Sequence, residues 1–343
     1  MPDCLPSARL NSVTLRENIP VSVTIELTRR CPLSCLHCYL PETRGRAAAG
    51  RELAAAQWKK ILRQLARAGG LYLVFTGGEP LLRPDLAEIC AYAKKLNFDV
   101  RVFSSGLGLT AELARELKEA GLSAFEISLY GRPAVHDGIT GLAGSFARSL
   151  AAARELRSAG IRVKIKAPLM NLNAGQANWL KALAKKEGFA VSFDLVIVPA
   201  NDGDKTALKY RLGGRALAAA VCLTESLVPA VPADGRPSAQ DLLCGAGRNV
   251  CALDPAGNLY PCLQLPVKLG NLTRRKFAAV WKNAWLKKWR RASVGDLQAC
   301  LSCPDIEYCS RCPGISLLEE GNSFAPNAPA CALARALRHK SGS

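Results

Sequence analysis

VSVTIELTRRCPLSCLHCYL, residues 21–40, places a β-branched, apolar run directly before three cysteines, Cys31, Cys35 and Cys38. Residues 21–27 read as a strand, because Val, Thr and Ile suit a pleated, half-buried surface. The cysteines then fall just past its C-terminal end, with three and two residues between them. Three thiols this close can make a metal clip, a disulfide knot or a thiol site. The spacing suits a metal, with a further ligand drawn from elsewhere in the chain or a coordination position left open.

Outward from this stretch the same pattern repeats. Strands are predicted at 21–27, 71–76, 99–104, 124–130, 161–169 and 189–198, separated by alanine-rich amphipathic segments at 51–68, 84–96, 110–120, 145–159 and 173–187. Strands separated by helices pair in parallel through right-handed crossovers. Six such units predict either an open doubly wound sheet or part of a barrel. In both, the chemistry belongs at the C-terminal strand ends. TGGEP (76–80), SSG (104–106) and SLYG (128–131) occupy the ends of the second, third and fourth strands, so with the cysteines they predict one site.

Composition narrows the class. The 343 residues are 49% hydrophobic and 22% charged, which suits a globular chain with a sizeable core. Fourteen cysteines without a signal-peptide pattern argue for a cytoplasmic metalloprotein over a secreted disulfide scaffold. No apolar run is long enough to span a bilayer; the stretch around 216–232 is interrupted by Glu225 and two prolines. The net charge of +18 allows an anionic partner, but no dense basic arm is present, and a nucleic-acid partner is disfavoured.

Residues 201–243 read as a linker with one helical stretch near 214–227, and 244–335 as a second block with eight cysteines, Cys244, Cys251, Cys262, Cys300, Cys303, Cys309, Cys312 and Cys331. It contains a hairpin, NVCALDPAGNLYPC, with its turn at DPAGN, and an amphipathic helix around 276–292. This looks like too little regular structure to bury a core alone, so metal is expected to hold it together. The remaining cysteines are Cys4, Cys90 and Cys222, and Cys90 lies on an apolar helix face as a small core residue.

The C-x3-C-x2-C cluster resembles the signature of the radical S-adenosylmethionine (radical SAM) enzymes, and GGEP at 77–80 resembles their second motif. The resemblance implies a partial (β/α)6 barrel over residues 18–200 and a 4Fe–4S cluster on Cys31, Cys35 and Cys38. The open iron would take SAM. It further implies that Gly77, Gly78 and Glu79 receive the methionyl amine, with the glycines allowing close approach and Glu79 accepting from the ammonium. Ser105 and Ser128 would touch the SAM carboxylate or ribose, with Lys166 and Asn171 as weaker candidates. His37, before the third cysteine, would lie near adenine or the cluster rather than ligate iron.

Residues 244–335 resemble the SPASM domain, which holds auxiliary 4Fe–4S clusters. Cys244, Gly257 and Cys262 fit its first spacing, and Cys300, Cys303, Cys309, Cys312 and Cys331 its later run, with two rather than three residues between Cys309 and Cys312. The implied fold class is α/β: the partial barrel with a small cysteine-rich, iron–sulfur-stapled C-terminal domain. Cys244, Cys251, Cys262 and Cys312 are then assigned to one auxiliary cluster. Cys300, Cys303, Cys309 and Cys331 are assigned to the other, with Cys312 and Cys331 exchangeable. Structural zinc is the competing reading of this block.

The implied activity is reductive cleavage of SAM to a 5′-deoxyadenosyl radical that abstracts hydrogen, with a peptide or protein as the expected substrate. Flavodoxin or ferredoxin is the expected electron donor. The barrel begins near residue 20, so a separate leader-binding protein is a possible partner. Leu263 follows Cys262 where formylglycine-forming relatives have an acid, which argues against sulfatase maturation. Oxidation of tetrapyrrole side chains is the alternative enzyme reading, and a zinc-stapled nucleic-acid-binding protein the alternative from another class.

Overall fold

The computed structural model describes residues 6–40, 51–224 and 236–341. Cys4 and Glu225 lie outside the described residues, as does the end of the helical stretch expected near 214–227. Strands β1 (Ser22–Thr28), β2 (Tyr72–Gly77), β3 (Asp99–Ser104), β4 (Ala124–Ser128), β5 (Arg162–Pro168) and β6 (Ala190–Asp194) lie in sequence order, each parallel to the next. The β-branched runs therefore form the six-unit α/β layer expected of them, although the sixth strand stops at Asp194.

Preceding β1 is α1 (Pro6–Glu17), and between the strands run α2 (Ala55–Arg67), α3 (Leu86–Lys95), α4 (Ala111–Glu119), α5 (Pro133–Thr140), α6 (Ser145–Ser158) and α7 (Ala177–Glu187). One face of the sheet is apolar. Val23, Ile25 and Leu27 of β1 join Leu73, Phe75, Val100, Val102, Phe125 and Ile127 in a fully buried core with Trp58, Ile61, Leu62 and Leu65 of α2. The opposite pleat carries Thr24, Phe103, Lys166 and Asp194 toward a cavity. Period-two alternation thus separates the packing face from the working face.

The sheet does not stop at the sixth unit. Beyond β1 it continues through β7 (Val250–Leu253), β8 (Asn258–Tyr260) and β9 (Gly270–Asn271), giving, among the described residues, nine strands in the order β6-β5-β4-β3-β2-β1-β7-β8-β9. β7 is parallel to β1, with Val23 opposite Cys251, and β7 to β9 are antiparallel. The hairpin turn forms as expected: Asp254 accepts from Ala256 N and Asn258 N at 3.0 and 2.9 Å, and Gly257 has φ +80°.

This corrects the expectation that the second block lacks a core. Leu253, Leu259, Leu265, Leu269, Leu272, Phe277, Val280 and Leu286 are buried in the same cluster as the barrel helices. The helix expected over 276–292 is two short ones, α9 (Phe277–Val280) and α10 (Ala284–Trp289), because the Asn283 side chain accepts from Leu286 N at 2.8 Å and starts a new helix.

The linker reading is also corrected, for residues 201–224. Helix α8 (Gly214–Leu223) buries Leu217, Ala220 and Val221 and packs on α12 (Ala328–Ser341), while Arg211 pairs with Glu319 of α11 (Pro313–Glu320). No helix among the described residues is long and apolar enough to cross a membrane.

The stretch from 293 to 312 does match the picture of a segment poor in regular structure, with short 3-10 turns at Val294–Asp296, Gln298–Cys300 and Ile306–Tyr308. Changing both Cys300 and Cys303 to Ala is therefore expected to make this stretch protease-sensitive while residues 250–289 stay protected. Limited proteolysis with mass mapping checks it, and equal loosening of both would show that the hairpin lacks its own anchorage to the barrel.

Candidate active site

Past β1 the chain turns through Cys31–Cys38 at the C-terminal edge of the sheet. Two backbone bonds from this loop tie it to the end of α5: Ser34 N donates to Thr140 O at 2.9 Å and Leu36 N to Ile139 O at 3.0 Å. Cys31, Cys35 and Cys38 line a cavity of about 360 Å³ together with His37, Gly77, Gly78, Ser104, Ser105, Ser128, Tyr130, Lys166 and Asp194. The sequence-predicted strand ends thus converge on one space. Leu263 and Gln264, directly after Cys262, supply part of its wall, so both blocks build the cavity.

Burial pushes the Cys31 thiol up to about 12 and the Cys35 thiol higher still. The Leu33 backbone N–H donates to Cys31, and the Tyr130 hydroxyl donates to Cys35 while accepting from Ser128. A cation that takes these sulfurs as thiolates offsets their desolvation and releases protons. His37 stands edge-on to Tyr130 at 4.9 Å, and burial lowers its pKa to about 4, so the ring is neutral. Its Nδ1 is buried without a partner.

Glu79 has a different place from the one the motif implies. It is fully buried, and its two oxygens accept from Leu81 N at 3.0 Å, Ser104 Oγ at 2.6 Å, Ser105 N at 2.9 Å and Ser105 Oγ. Four donors saturate a carboxylate, leaving none of its capacity for a ligand ammonium. Burial raises its pKa against the pull of these bonds. Its role is to cinch the ends of β2 and β3, which fixes Ser105 at the cavity wall.

Glu79→Gln sets an amide donor against these donors and is expected to cost about 2 kcal/mol or more of stability, read by urea denaturation. Unchanged stability with weakened SAM binding would instead make Glu79 a ligand contact.

The glycines are likewise close to protein. A Cβ on Gly77 (φ +133°) would lie 2.2 Å from Thr28 O, and one on Gly78 2.2 Å from Arg30 O. Gly78 N donates to Thr28 O at 2.8 Å and Glu79 N to Arg30 O at 2.7 Å. The close approach is thus between the GGEP turn and the backbone that leads into Cys31. Among the weaker candidates, Lys166 lines the cavity, 3.6 Å from Asp194 and over the Phe103 ring. Asn171 does not; its side chain donates to Lys209 O at 2.9 Å and ties down a turn.

The cysteines of the second block fall into two electrostatic groups. Cys244, Cys262 and Cys312 interact mutually and Cys251 interacts with Cys262, while Cys300, Cys303 and Cys331 interact with Cys309. Backbone N–H groups of Ala246, Gln264, Leu265 and Arg311 donate to Cys244, Cys262 and Cys309.

Gly314 runs so near this loop that a Cβ there would sit 2.0 Å from Gln264 O. Among the described residues no three His, Cys, Asp or Glu side chains come together around a single metal ion. The all-sulfur donor sets fit iron–sulfur clusters.

Cys90 is buried among apolar side chains of α3, as expected, and Cys222 is exposed on α8. Sequence reading did not single out Tyr130, whose only signal was its place in SLYG. It also missed α5, whose terminal carbonyls hold the cysteine loop.

Comparison with known proteins identifies the family. The model of the Radical SAM superfamily matches residues 25–204, and that of SPASM, an iron-sulfur cluster-binding domain, matches 244–313. Among similar proteins, mycofactocin maturase of Mycobacterium ulcerans is 32% identical, the match covering 84% of this chain and 82% of that one. PqqA peptide cyclase of Rhodopseudomonas palustris is 30% identical over 94% of this chain and 89% of the relative.

AdoMet-dependent heme synthase of Methanosarcina barkeri is 27% identical over 86% and 91%. Among solved structures, anSMEcpe with bound AdoMet aligns with TM-score 0.76 at 15% identity over 94% of this chain and 97% of that one. Streptococcus suis SuiB bound to precursor peptide SuiA aligns at 0.66 and 17%, over 94% and 80%. At such identities the structures speak for the fold.

Proposed function

The chain belongs to the radical SAM superfamily and carries a SPASM iron–sulfur domain, and on that premise we propose that it is a peptide maturase acting on a peptide or protein substrate. The observation that carries this reading is the cavity itself, where three thiols, the strand-end serines and the wall from the SPASM block meet. When bound, the cluster and SAM supply a 5′-deoxyadenosyl radical that abstracts hydrogen from an unactivated C–H.

Cys31, Cys35 and Cys38 would hold the SAM-binding cluster, and Tyr130 and the Leu33 N–H would steady its sulfurs. Gly77, Gly78, Ser105 and Ser128 would frame the SAM site, with Glu79 holding Ser105 in place. Lys166 and Asp194 offer paired charges on the same wall. Leu263 and Gln264 would help to close the site against water.

Two auxiliary clusters are assigned to the cysteine groups of the second block. With every cysteine used as a ligand they leave no open iron, which suits electron transfer. The partners proposed are a flavodoxin or ferredoxin and a leader-binding protein, in a cytoplasmic setting. The peptide reading draws on the mycofactocin maturase and PqqA cyclase relatives. The haem synthase relative supports the second reading, a tetrapyrrole substrate.

The test is co-expression with short precursor peptides and mass spectrometry of the products, beside anaerobic assay of 5′-deoxyadenosine with peptides and with tetrapyrroles. A mass change in a peptide supports the first reading. Turnover of a tetrapyrrole alone supports the second.

A further inference from the structure

Arg311 occupies the short bridge Cys309-Ser310-Arg311-Cys312, where the chain passes from one cysteine group to the other. Its half-buried guanidinium is held in place. Nε donates to Ala325 O at 3.2 Å, and Nη2 donates to Ser316 Oγ at 3.1 Å, to Ala325 O at 2.6 Å and to Ser323 O. Ser316 is itself fixed, accepting from Asn327 Nδ2 at 2.9 Å. All of these acceptors are neutral, and among the described residues Arg311 makes no ion pair with a carboxylate.

The groups that interact with its charge are sulfurs of both sets: Cys300 and Cys309 from one, Cys312 and Cys244 from the other. Burying a guanidinium without a counter-charge is costly. Carbonyls alone do not remove that cost, whereas anionic clusters held by Cys309 and Cys312, two and one residues away along the chain, would. Arg248, also buried, interacts with Cys244, whereas Arg311 stands in the chain directly between Cys309 and Cys312, one from each group.

We infer that Arg311 is the shared counter-charge of the two auxiliary cluster sites and holds the reduction potentials of both clusters up. The inference rests on the two-cluster reading of residues 244–335. A fixed positive charge favours the more negative, reduced form of each cluster, and net charge and hydrogen bonding are the protein's main levers on cluster potential. One side chain acting on both sites would also keep their potentials in step, as suits a path along which one electron passes between them.

The test uses the full-length chain, anaerobically reconstituted, with iron analysis and an EPR-monitored redox titration. Arg311→Gln removes the charge and can still donate hydrogen bonds; Arg311→Lys keeps the charge without the planar fork. The expected result is about twelve irons in wild type, a negative shift of both auxiliary midpoints in R311Q, and midpoints near wild type in R311K. The cluster signal lost when Cys31, Cys35 and Cys38 are replaced should not move.

Loss of auxiliary iron from R311Q but not from R311K would support the same assignment. Unchanged midpoints in R311Q, a shift in one cluster only, an equal shift in R311K, or loss of iron from both variants would overturn it. Absence of two auxiliary signals from the wild type would mark the failure of the two-cluster reading itself, and the inference would fall with it.

Discussion

Replacing Cys31, Cys35 and Cys38 together with alanine is expected to abolish formation of 5′-deoxyadenosine and to lower iron by about four per chain. The three sulfurs line one cavity at the end of β1 and would be that cluster's protein anchors. The loop itself should survive the change, because Ser34 and Leu36 are tied to α5 through backbone bonds that alanine leaves intact. The variant should therefore fold, keep its auxiliary iron and be inert. Reductive SAM cleavage is measured by chromatography under a strong reductant. Undiminished 5′-deoxyadenosine from the triple variant would remove these cysteines from the chemistry.

Gly78→Val is expected to lose the SAM-binding cluster and SAM affinity together. From the motif alone, the expected effect was on SAM, through blocked approach of a ligand. The structure puts the obstruction elsewhere: a Cβ at Gly78 would meet Arg30 O at 2.2 Å, Arg30 C at 2.7 Å and Arg29 O at 2.8 Å, all backbone atoms. Retreat is resisted by the bonds from Gly78 N and Glu79 N to Thr28 O and Arg30 O. The larger residue must push the segment entering Cys31 away from β2, at a cost of about 3 kcal/mol. Iron content, SAM binding and urea denaturation of the variant measure this together. Full iron with weakened SAM binding alone would restore the ligand-approach explanation.

The two cases show what kind of information a motif carries. C-x3-C-x2-C and GGEP locate the site, because covalent neighbours at a strand end stay neighbours in any fold of that class. They do not say which atoms fill the space beside them. Glu79 looked like a ligand acceptor until Ser104, Ser105 and the Leu81 N–H were seen around it. Two of these four donors come from side chains one β/α unit away, a distance over which spacing says nothing. Asn171 and Lys166 were indistinguishable as candidates from sequence, and only the folded chain puts one in the cavity and the other on a turn.

By itself the sequence determined the order of the six barrel strands and of the helices between them apart from α5, their parallel pairing, the strand-end location of the chemistry and the supply of thiols. All of these follow from local periodicity and from the short reach of the chain between adjacent residues. Tertiary structure alone decided that β7 pairs with β1, so that the second block extends the barrel's sheet and core. It alone put Leu263 and Gln264 beside Cys31 to Cys38, and the Arg311 guanidinium on the carbonyls of Ser323 and Ala325. The six-strand layer offers two edges, β1 and β6, and β7 takes β1, where the hairpin residues Leu253 and Leu259 join the core of the barrel helices. That is a property of the assembled sheet, and no window of residues contains it.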